Sequence, residues 1–246
     1  MYDRIVAPSG RIFAKRDQEF LALACAYGFI EWRDTPFKLK SGIFSNVYVF
    51  GREDVTDHPD LEWLIGQIIV EVVLGCWRYT TLFQMQPCMI GIPTAGTALA
   101  QAAAMVAWAE KEKHLGAQII CHRIMREALK QSHGAGTHKG TWVNGKPNPR
   151  QWYWGWDNVA TNGDSKFEAA EKWAADGYNV GEMIAGIFVD RQQGAVPRLE
   201  KAGLFKKIVT VFNLLDITFA FGELGLWPKN AVKAVEKEIA DHQFLA

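Results

Sequence analysis

The sequence has little that would suggest a disulfide framework, a metal cluster or a membrane anchor. Its four cysteines are far apart and form neither a CxxC pair nor a Cys/His zinc pattern. No stretch approaches the roughly 20 apolar residues of a membrane span, and the N-terminus lacks the apolar core of a signal peptide. We therefore expect a cytoplasmic protein in a reducing compartment, with no membrane partner.

The chain also lacks net charge. Lys plus Arg and Asp plus Glu both total 27 in 246 residues, so no overall field would attract nucleic acid. Residues 122–150 differ from the rest, because six basic residues there accompany a single acid, Glu127, and Gly and Pro recur. This composition predicts a long loop, which either binds a polyanion or is simply solvated.

The sequence is 49% hydrophobic and 22% charged, which is typical of a soluble globular enzyme. Strand-like apolar runs alternate with helical repeats, and this order predicts a mostly parallel sheet covered by helices on both faces. We expect one α/β domain, 1–246, with a small N-terminal hood formed by about residues 1–50 and part of the C-terminal tail. The predicted strands lie at 87–93, 118–121, 151–156, 180–190 and 208–212, the predicted helices at 15–28, 61–77, 95–114, 165–176 and 196–202, a hairpin at 37–49, and a helical tail at 214–246.

The stretch from Gln151 to Arg191 has the strongest functional pattern. An aromatic run ends at Asp157, and a short polar loop then opens a helix. Such a loop offers unpaired backbone N–H groups and a positive helix dipole to a phosphate, with further hydroxyl donors from Thr161 and Ser165. Asp157 would accept hydrogen bonds from sugar hydroxyls or position a divalent cation. The structural alternative is a turn in which Ser165 caps the helix.

A second loop of the same kind follows the apolar run that ends at Pro93. Thr94, Ala95 and Gly96 lead from it into an alanine-rich helix. The same backbone argument predicts a second anion site there. Small residues are equally expected where a helix packs closely on a sheet.

These segments resemble, in order, the motifs of orotate phosphoribosyltransferases, which belong to the type I phosphoribosyltransferases. Residues 157–165 resemble the phosphoribosyl diphosphate signature, and the resemblance covers nearly the whole chain from Phe37 onwards. The other matching segments are Lys40–Ser45 with the LKSG hood motif, Gly91–Ala100 with the pyrophosphate loop, Arg126–Gly134 with the RKEAKDHG catalytic loop, and Val189–Gly194 with the DR(E/Q)QGG element.

The resemblance implies transfer of a phosphoribosyl group from phosphoribosyl diphosphate to orotate, with Mg²⁺ as cofactor. It also implies a homodimer in which the 122–150 loop reaches the neighbouring site. The metal is expected to bind mainly through the substrate, with Asp157 as a further ligand. The catalytic residues implied are Asp157, Arg126, Lys130 and His133, and the substrate-binding residues are Lys40, Tyr48, Thr94, Ala95, Gly96, Asn158, Thr161, Asn162, Gly163, Asp164, Ser165 and Arg191.

Residue chemistry supports some of these roles and weakens others. Arg191 suits the base carboxylate, because a guanidinium group binds a carboxylate through two parallel hydrogen bonds. Asn158, however, stands where the family usually has a second acid, and Asp164 should repel a phosphate unless it points away. Two alternatives therefore stay open: a regulatory relative that binds nucleotide with weakened catalysis, and a phosphoribosyltransferase for another base.

Overall fold

The elements of secondary structure follow the predicted alternation. The computed structural model describes residues 2–39, 42–49, 56–78, 85–113, 120–129 and 140–244, with the backbone alone for 77 and 78. The strands there are β1 (Ile5–Val6), β2 (Ile12–Phe13), β3 (Ile30–Lys38), β4 (Phe44–Val49), β5 (Gln86–Gly91), β6 (Cys121–Ile124), β7 (Gln151–Ala160), β8 (Ile184–Asp190) and β9 (Lys207–Asn213). The helices are α1 (Lys15–Ala26), α2 (Pro59–Arg78), α3 (Ala95–Ala109), α4 (Asp164–Ala175), α5 (Ala195–Ala202), α6 (Leu214–Glu223) and α7 (Ala231–Asp241).

The central sheet is parallel and has the strand order β6-β5-β7-β8-β9 in the described part of the chain. The predicted α/β class is therefore confirmed. Because all five strands point the same way, the loops that follow β5, β7 and β8 leave from one edge and lie side by side. Any site built from these loops must lie at this carboxyl edge.

Three strand predictions were misplaced. The strand β7 continues to Ala160, so Asp157 and Asn158, which were predicted to lie in the loop, belong to the strand. The β6 strand begins at Cys121, where the predicted strand ended, and residues 180–182 form a 3-10 turn before β8 begins at Ile184. Before β6 and β8 the apolar pattern extends beyond the hydrogen-bonded strand, because Ile120 is buried in the main core and Val180 packs against a second core cluster.

The N-terminal part forms small antiparallel sheets. Strands β1 and β2 pair with each other, and β3 pairs with β4 in a register that sets Ile30 opposite Val49. The predicted hairpin is therefore present, although its first strand starts seven residues earlier than predicted, at Ile30 rather than Phe37. The assignment of a hood to this region stays a prediction.

Helix packing explains the small residues of α3. The backbone of α3 lies so close to α2 that a Cβ on Gly66 would overlap Val106 and the carbonyl of Ala102. Among the described helices, none combines the length and apolarity needed to cross a bilayer.

The aromatic strand β7 fits into the sheet because its neighbours are small. Trp154 and Trp156 are fully buried and stack on each other in the main core. Gly186 on β8 leaves space for the ring of Trp156, and Gly155 on the opposite face of β7 leaves space for Trp173. Bulky and minimal side chains thus complement one another across the sheet, as close packing requires.

This complementarity predicts opposite effects for two Gly→Ala substitutions. Gly155→Ala should destabilise the fold by about 1–3 kcal/mol, because its methyl group would overlap the rigid ring of Trp173. Gly75→Ala in α2 should be neutral or stabilise by up to about 1 kcal/mol, since no atom of the described residues lies near the added methyl group. Denaturant unfolding of both variants measures the difference, and equal effects would show that the packing argument is wrong.

Candidate active site

The loop between β7 and α4 presents a group of backbone donors. Gly163 has φ +87°, which turns the chain into α4 without strain for a residue lacking Cβ. The amide N–H groups of Thr161, Asn162, Gly163 and Ser165 donate to no acceptor in the described part of the chain. Four such donors at a helix N-terminus have the geometry that anion sites use, and binding of a phosphate here stays a prediction.

Asp164 does not leave an unbalanced charge in this loop. Its Oδ1 accepts a hydrogen bond from Arg198 Nη1 at 3.0 Å, and its Oδ2 accepts one from Asn162 Nδ2 at 2.6 Å. Arg198 also donates to the Asn162 carbonyl and lies over the Phe167 ring. The predicted repulsion is therefore offset by Arg198, a residue on α5 that the sequence pattern did not identify.

The second small-residue loop, Thr94–Gly96, packs against strand β7 at Trp156. A Cβ on Gly96 would overlap the Trp156 carbonyl and contact Asp157 Cα, so close packing accounts for this glycine. The amide N–H groups of Thr94, Ala95 and Gly96 nevertheless have no acceptor among the described residues. The two alternatives from the sequence are therefore compatible: tight packing brings a second set of donors next to Asp157.

Asp157 lies where the two loops meet, and it is 7% exposed. Its Oδ1 accepts the Asn158 backbone N–H at 2.9 Å. Its Oδ2 accepts the Ser165 hydroxyl at 3.1 Å and forms an ion pair of 2.6 Å with Lys166 Nζ. Ser165 thus contacts the carboxylate directly, and the structure brings the predicted residues Asp157 and Ser165 together.

Lys166 is a buried cation that sequence reasoning missed. Besides Asp157, its Nζ donates to the Val159 carbonyl at 2.5 Å and to Ser165 Oγ at 3.3 Å. One sequence signal was available, because a lysine in the first turn of a helix opposes the helix dipole and needs an acidic partner. The partner itself is visible only in the folded chain.

Asp190, at the end of β8, is the second buried carboxylate of this edge. Burial raises its pKa above the usual range, while the Gln192 backbone N–H and the nearby Lys166 oppose that shift. The edge of the sheet therefore holds two carboxylates and one ammonium group within a small, poorly hydrated volume.

The predicted Mg²⁺ fits this site only as an ion carried by a ligand. The described residues include no cluster of three or more His, Cys, Asp or Glu side chains. Asp157 Oδ2 already accepts the Ser165 hydroxyl and is paired with the Lys166 ammonium group, which would repel a divalent cation. Asp157 therefore does not fit as a metal ligand, whereas ligand phosphate oxygens would hold Mg²⁺ in the ordinary way.

Arg191 is 1% exposed and is committed to protein partners. Its Nη2 donates to Glu238 Oε1 at 2.6 Å and to Ser45 Oγ at 2.7 Å, and its Nη1 donates to the Val47 carbonyl at 3.0 Å. Burial lowers the pKa of Arg191, and the Glu238 carboxylate counteracts this. A substrate carboxylate would have to compete with Glu238 for this guanidinium group.

The remaining predicted residues are less well placed. Tyr48 is partly buried in β4, where its ring contacts Phe37. Arg126 donates to the Thr141 carbonyl at 2.6 Å. This hydrogen bond connects the two described parts of the basic segment, residues 122–129 and 140–150. The predicted residues Lys40, Lys130 and His133 lie outside the described residues.

Comparison with known proteins finds a relative by sequence. No family profile matches the chain. An orotate phosphoribosyltransferase from Nostoc sp. is 27% identical to it over 213 residues, which is 85% of this chain and 88% of that protein. This likeness extends over the strands and loops that build the site.

Solved structures share the fold. UMP synthase from Leishmania donovani superposes with a TM-score of 0.68 at 18% identity over 91% of this chain, which spans 42% of that protein. Orotate phosphoribosyltransferase from Aeropyrum pernix gives 0.54 at 22% identity, over 85% of this chain and 99% of that one. The Mycobacterium tuberculosis enzyme in complex with phosphoribosyl diphosphate gives 0.53 at 19% identity, over 82% and 98%.

The Arg191–Glu238 pair predicts a large cost for removing one of its charges. Glu238→Gln should destabilise the protein by about 3 kcal/mol, because Arg191 would be left as a buried cation without a counter-charge. Glu236→Gln, an exposed change on the same helix, should alter stability by less than about 0.5 kcal/mol. Chemical unfolding compares the two, and similar midpoints would contradict a buried ion pair.

Proposed function

We propose that this chain, which belongs to the type I phosphoribosyltransferase family and resembles its orotate-specific members, transfers a phosphoribosyl group to orotate. The donor is phosphoribosyl diphosphate, and the products are orotidine monophosphate and diphosphate, as in pyrimidine nucleotide synthesis. The observation that carries this proposal is the pair of amide-rich loops that meet at Asp157. A ligand with two phosphate groups on one sugar matches two anion sites separated by a carboxylate.

In this assignment each loop holds one end of the donor. The amides of Thr161–Ser165 bind the 5′-phosphate, and those of Thr94–Gly96 bind the diphosphate. Asp157 Oδ1 accepts one hydrogen bond from the Asn158 amide and has capacity for another from a ribose hydroxyl. The ribose would therefore lie across the ends of β5 and β7, which are neighbours in the sheet.

The same arrangement suits the chemistry. The bond from the anomeric carbon to diphosphate breaks, so negative charge grows on the leaving group and positive charge grows on the sugar. Backbone N–H groups of the Thr94 loop stabilise the negative charge on the leaving group, and the Asp157 carboxylate favours the positive charge on the sugar. Mg²⁺ bound to the diphosphate would neutralise part of the leaving charge. The basic segment, with the predicted roles of Arg126, Lys130 and His133, would close over the diphosphate and exclude water.

The acceptor base would lie between the hairpin and the loop that follows β8. Arg191 connects these two parts through Val47 and Ser45, and Tyr48 lies on the same hairpin. Lys40, outside the described residues, keeps its predicted role in substrate binding. A homodimer, in which the 122–150 loop reaches the neighbouring site, and a cytoplasmic location are part of the proposal.

A second candidate function is a regulatory relative that binds phosphoribosyl diphosphate or nucleotide without efficient turnover. It is favoured by Asn158, which lacks a charge, and by the Lys166 ion pair, which offsets the charge of Asp157. A phosphoribosyltransferase for an uncharged base is favoured by the Glu238 carboxylate, which already occupies Arg191.

Orotate consumption distinguishes these functions. With phosphoribosyl diphosphate and Mg²⁺ present, the absorbance of orotate should fall as orotidine monophosphate forms. Asp157→Asn should lower kcat at least about tenfold, because the negative charge next to the reacting carbon is lost. Asp3→Asn, an exposed change of the same kind, should leave the rate unchanged.

The same assay includes the outcomes that would contradict the assignment. Binding of phosphoribosyl diphosphate without loss of orotate would support the regulatory alternative. Diphosphate release with uracil or another uncharged base, but not with orotate, would support the third function.

The Asp164–Arg198 pair gives a separate prediction for the phosphate loop. Arg198→Met should weaken the binding of ribose 5-phosphate by roughly tenfold, because the Asp164 charge would then repel the phosphate. Adding Asp164→Asn to that variant should restore most of the affinity. Calorimetric titration measures both, and an affinity that the second change does not restore would refute the charge argument.

A further inference from the structure

The contacts of Lys166 assign it a role in substrate binding. We propose that Lys166 is a positioning residue that serves as the permanent counter-cation of Asp157. Asp157 then binds the sugar as a hydrogen-bond acceptor through Oδ1 and does not ligate a divalent cation. This inference rests on the proposed function, because it concerns the same sugar phosphate.

The first argument is that both groups are engaged with each other and with their neighbours. The Lys166 ammonium forms the ion pair with Asp157 Oδ2 and donates to the Val159 carbonyl and to Ser165 Oγ. Asp157 Oδ2 in turn accepts the Ser165 hydroxyl. Asp157, Ser165 and Lys166 therefore form one closed unit.

The second argument is burial. Lys166 is 3% exposed and Asp157 is 7% exposed, so water screens their attraction poorly. Lys166 lies at the first turn of α4, where the helix dipole disfavours a cation. The ion pair with Asp157 and the hydrogen bond to the Val159 carbonyl offset the cost of burying it there. The carboxylate is therefore held in one orientation, with Oδ2 turned to α4.

The third argument is electrostatic. A divalent cation bound to Asp157 would lie close to an ammonium group that is 2.6 Å from Oδ2, and the repulsion would be strong in this poorly hydrated position. Oδ1 is the atom that retains hydrogen-bonding capacity, since a single backbone N–H occupies it. A neutral hydroxyl group fits that position, whereas a metal ion does not.

The role of Lys166 can be separated from mere structural support by measuring metal binding. Mn²⁺ is the probe, and its electron paramagnetic resonance signal counts the ions bound to protein in the absence of any phosphate ligand. The wild-type protein should bind no Mn²⁺ through Asp157, so Asp157→Asn should leave the titration unchanged. Lys166→Met should create a Mn²⁺ site, and Lys166→Met with Asp157→Asn should abolish it again.

The sugar phosphate supplies an independent measurement. Ribose 5-phosphate lacks the diphosphate that would carry Mg²⁺, so it isolates the Asp157 contact. Its affinity for the wild-type protein should change less than about twofold between excess Mg²⁺ and excess chelator. For Lys166→Met, Mg²⁺ should raise that affinity about tenfold or more. Lys166→Arg, which keeps the charge, should behave like the wild type.

Lys201→Met is the matched control, since it removes one exposed lysine and should change neither measurement. If Lys166→Met does not fold, as thermal unfolding would show, the wild type, Asp157→Asn and Lys166→Arg decide the matter. Mn²⁺ binding in the wild type that Asp157→Asn removes, or no gain of Mn²⁺ in a folded Lys166→Met, would overturn the proposal. Failure to bind ribose 5-phosphate at all would instead count against the proposed function, while the Mn²⁺ titration would still decide the role of Lys166.

Discussion

The carbonyl group of Trp156 is the point at which the site is assembled. It accepts the Ile92 backbone N–H at 2.7 Å, and Gly96 lies against it so closely that no side chain would fit. This contact joins the loop after β5 to the end of β7 and sets Thr94–Gly96 beside Asp157. The two sets of amide donors can act on one ligand only because this approach is so short. A parallel sheet provides the common edge, and the missing side chain of Gly96 provides the distance.

Paired charges are the second constraint at this edge. Asp157 is paired with Lys166, Asp164 with Arg198, and Arg191 with Glu238. Two of these pairs are buried, where an unpaired charge would be costly, so each member holds the other in place. The groups left to meet the proposed ligand are mainly backbone N–H groups, whose direction the sheet and helices fix in advance. Donors oriented in this way need little rearrangement when charge develops on a bound phosphate.

The Arg191 pair also links distant parts of the sequence. Glu238 comes from α7 near the C-terminus, and it receives hydrogen bonds from Ser45 in the hairpin as well as from Arg191 after β8. The Phe244 backbone N–H extends this contact to the Gln193 carbonyl. The C-terminal helix thus packs against the region proposed to bind the base.

Much of the fold followed from local pattern. The periodicities of α1, α2 and α4 were strong, and each observed helix lies within a few residues of its prediction. The strand β6 was harder to locate, because its four residues carry little periodic signal. The short strands β1 and β2 were not predicted, since two-residue strands depend on pairing with each other and not on their own sequence.

The candidate site also combines features that are local in the sequence with features that arise only when the chain folds. The sequence by itself determined the phosphate-type loop at Thr161–Ser165, because a glycine with positive φ and hydroxyl residues before a helix are local features. Only the tertiary structure decided how the charges are shared. Lys166 is near Asp157 in sequence, yet their contact depends on how α4 packs on the sheet. Glu238 and Arg191 are 47 residues apart, and the folded chain alone brings them together. Local geometry is encoded by neighbouring residues, whereas the pairing of buried charges depends on the whole path of the chain.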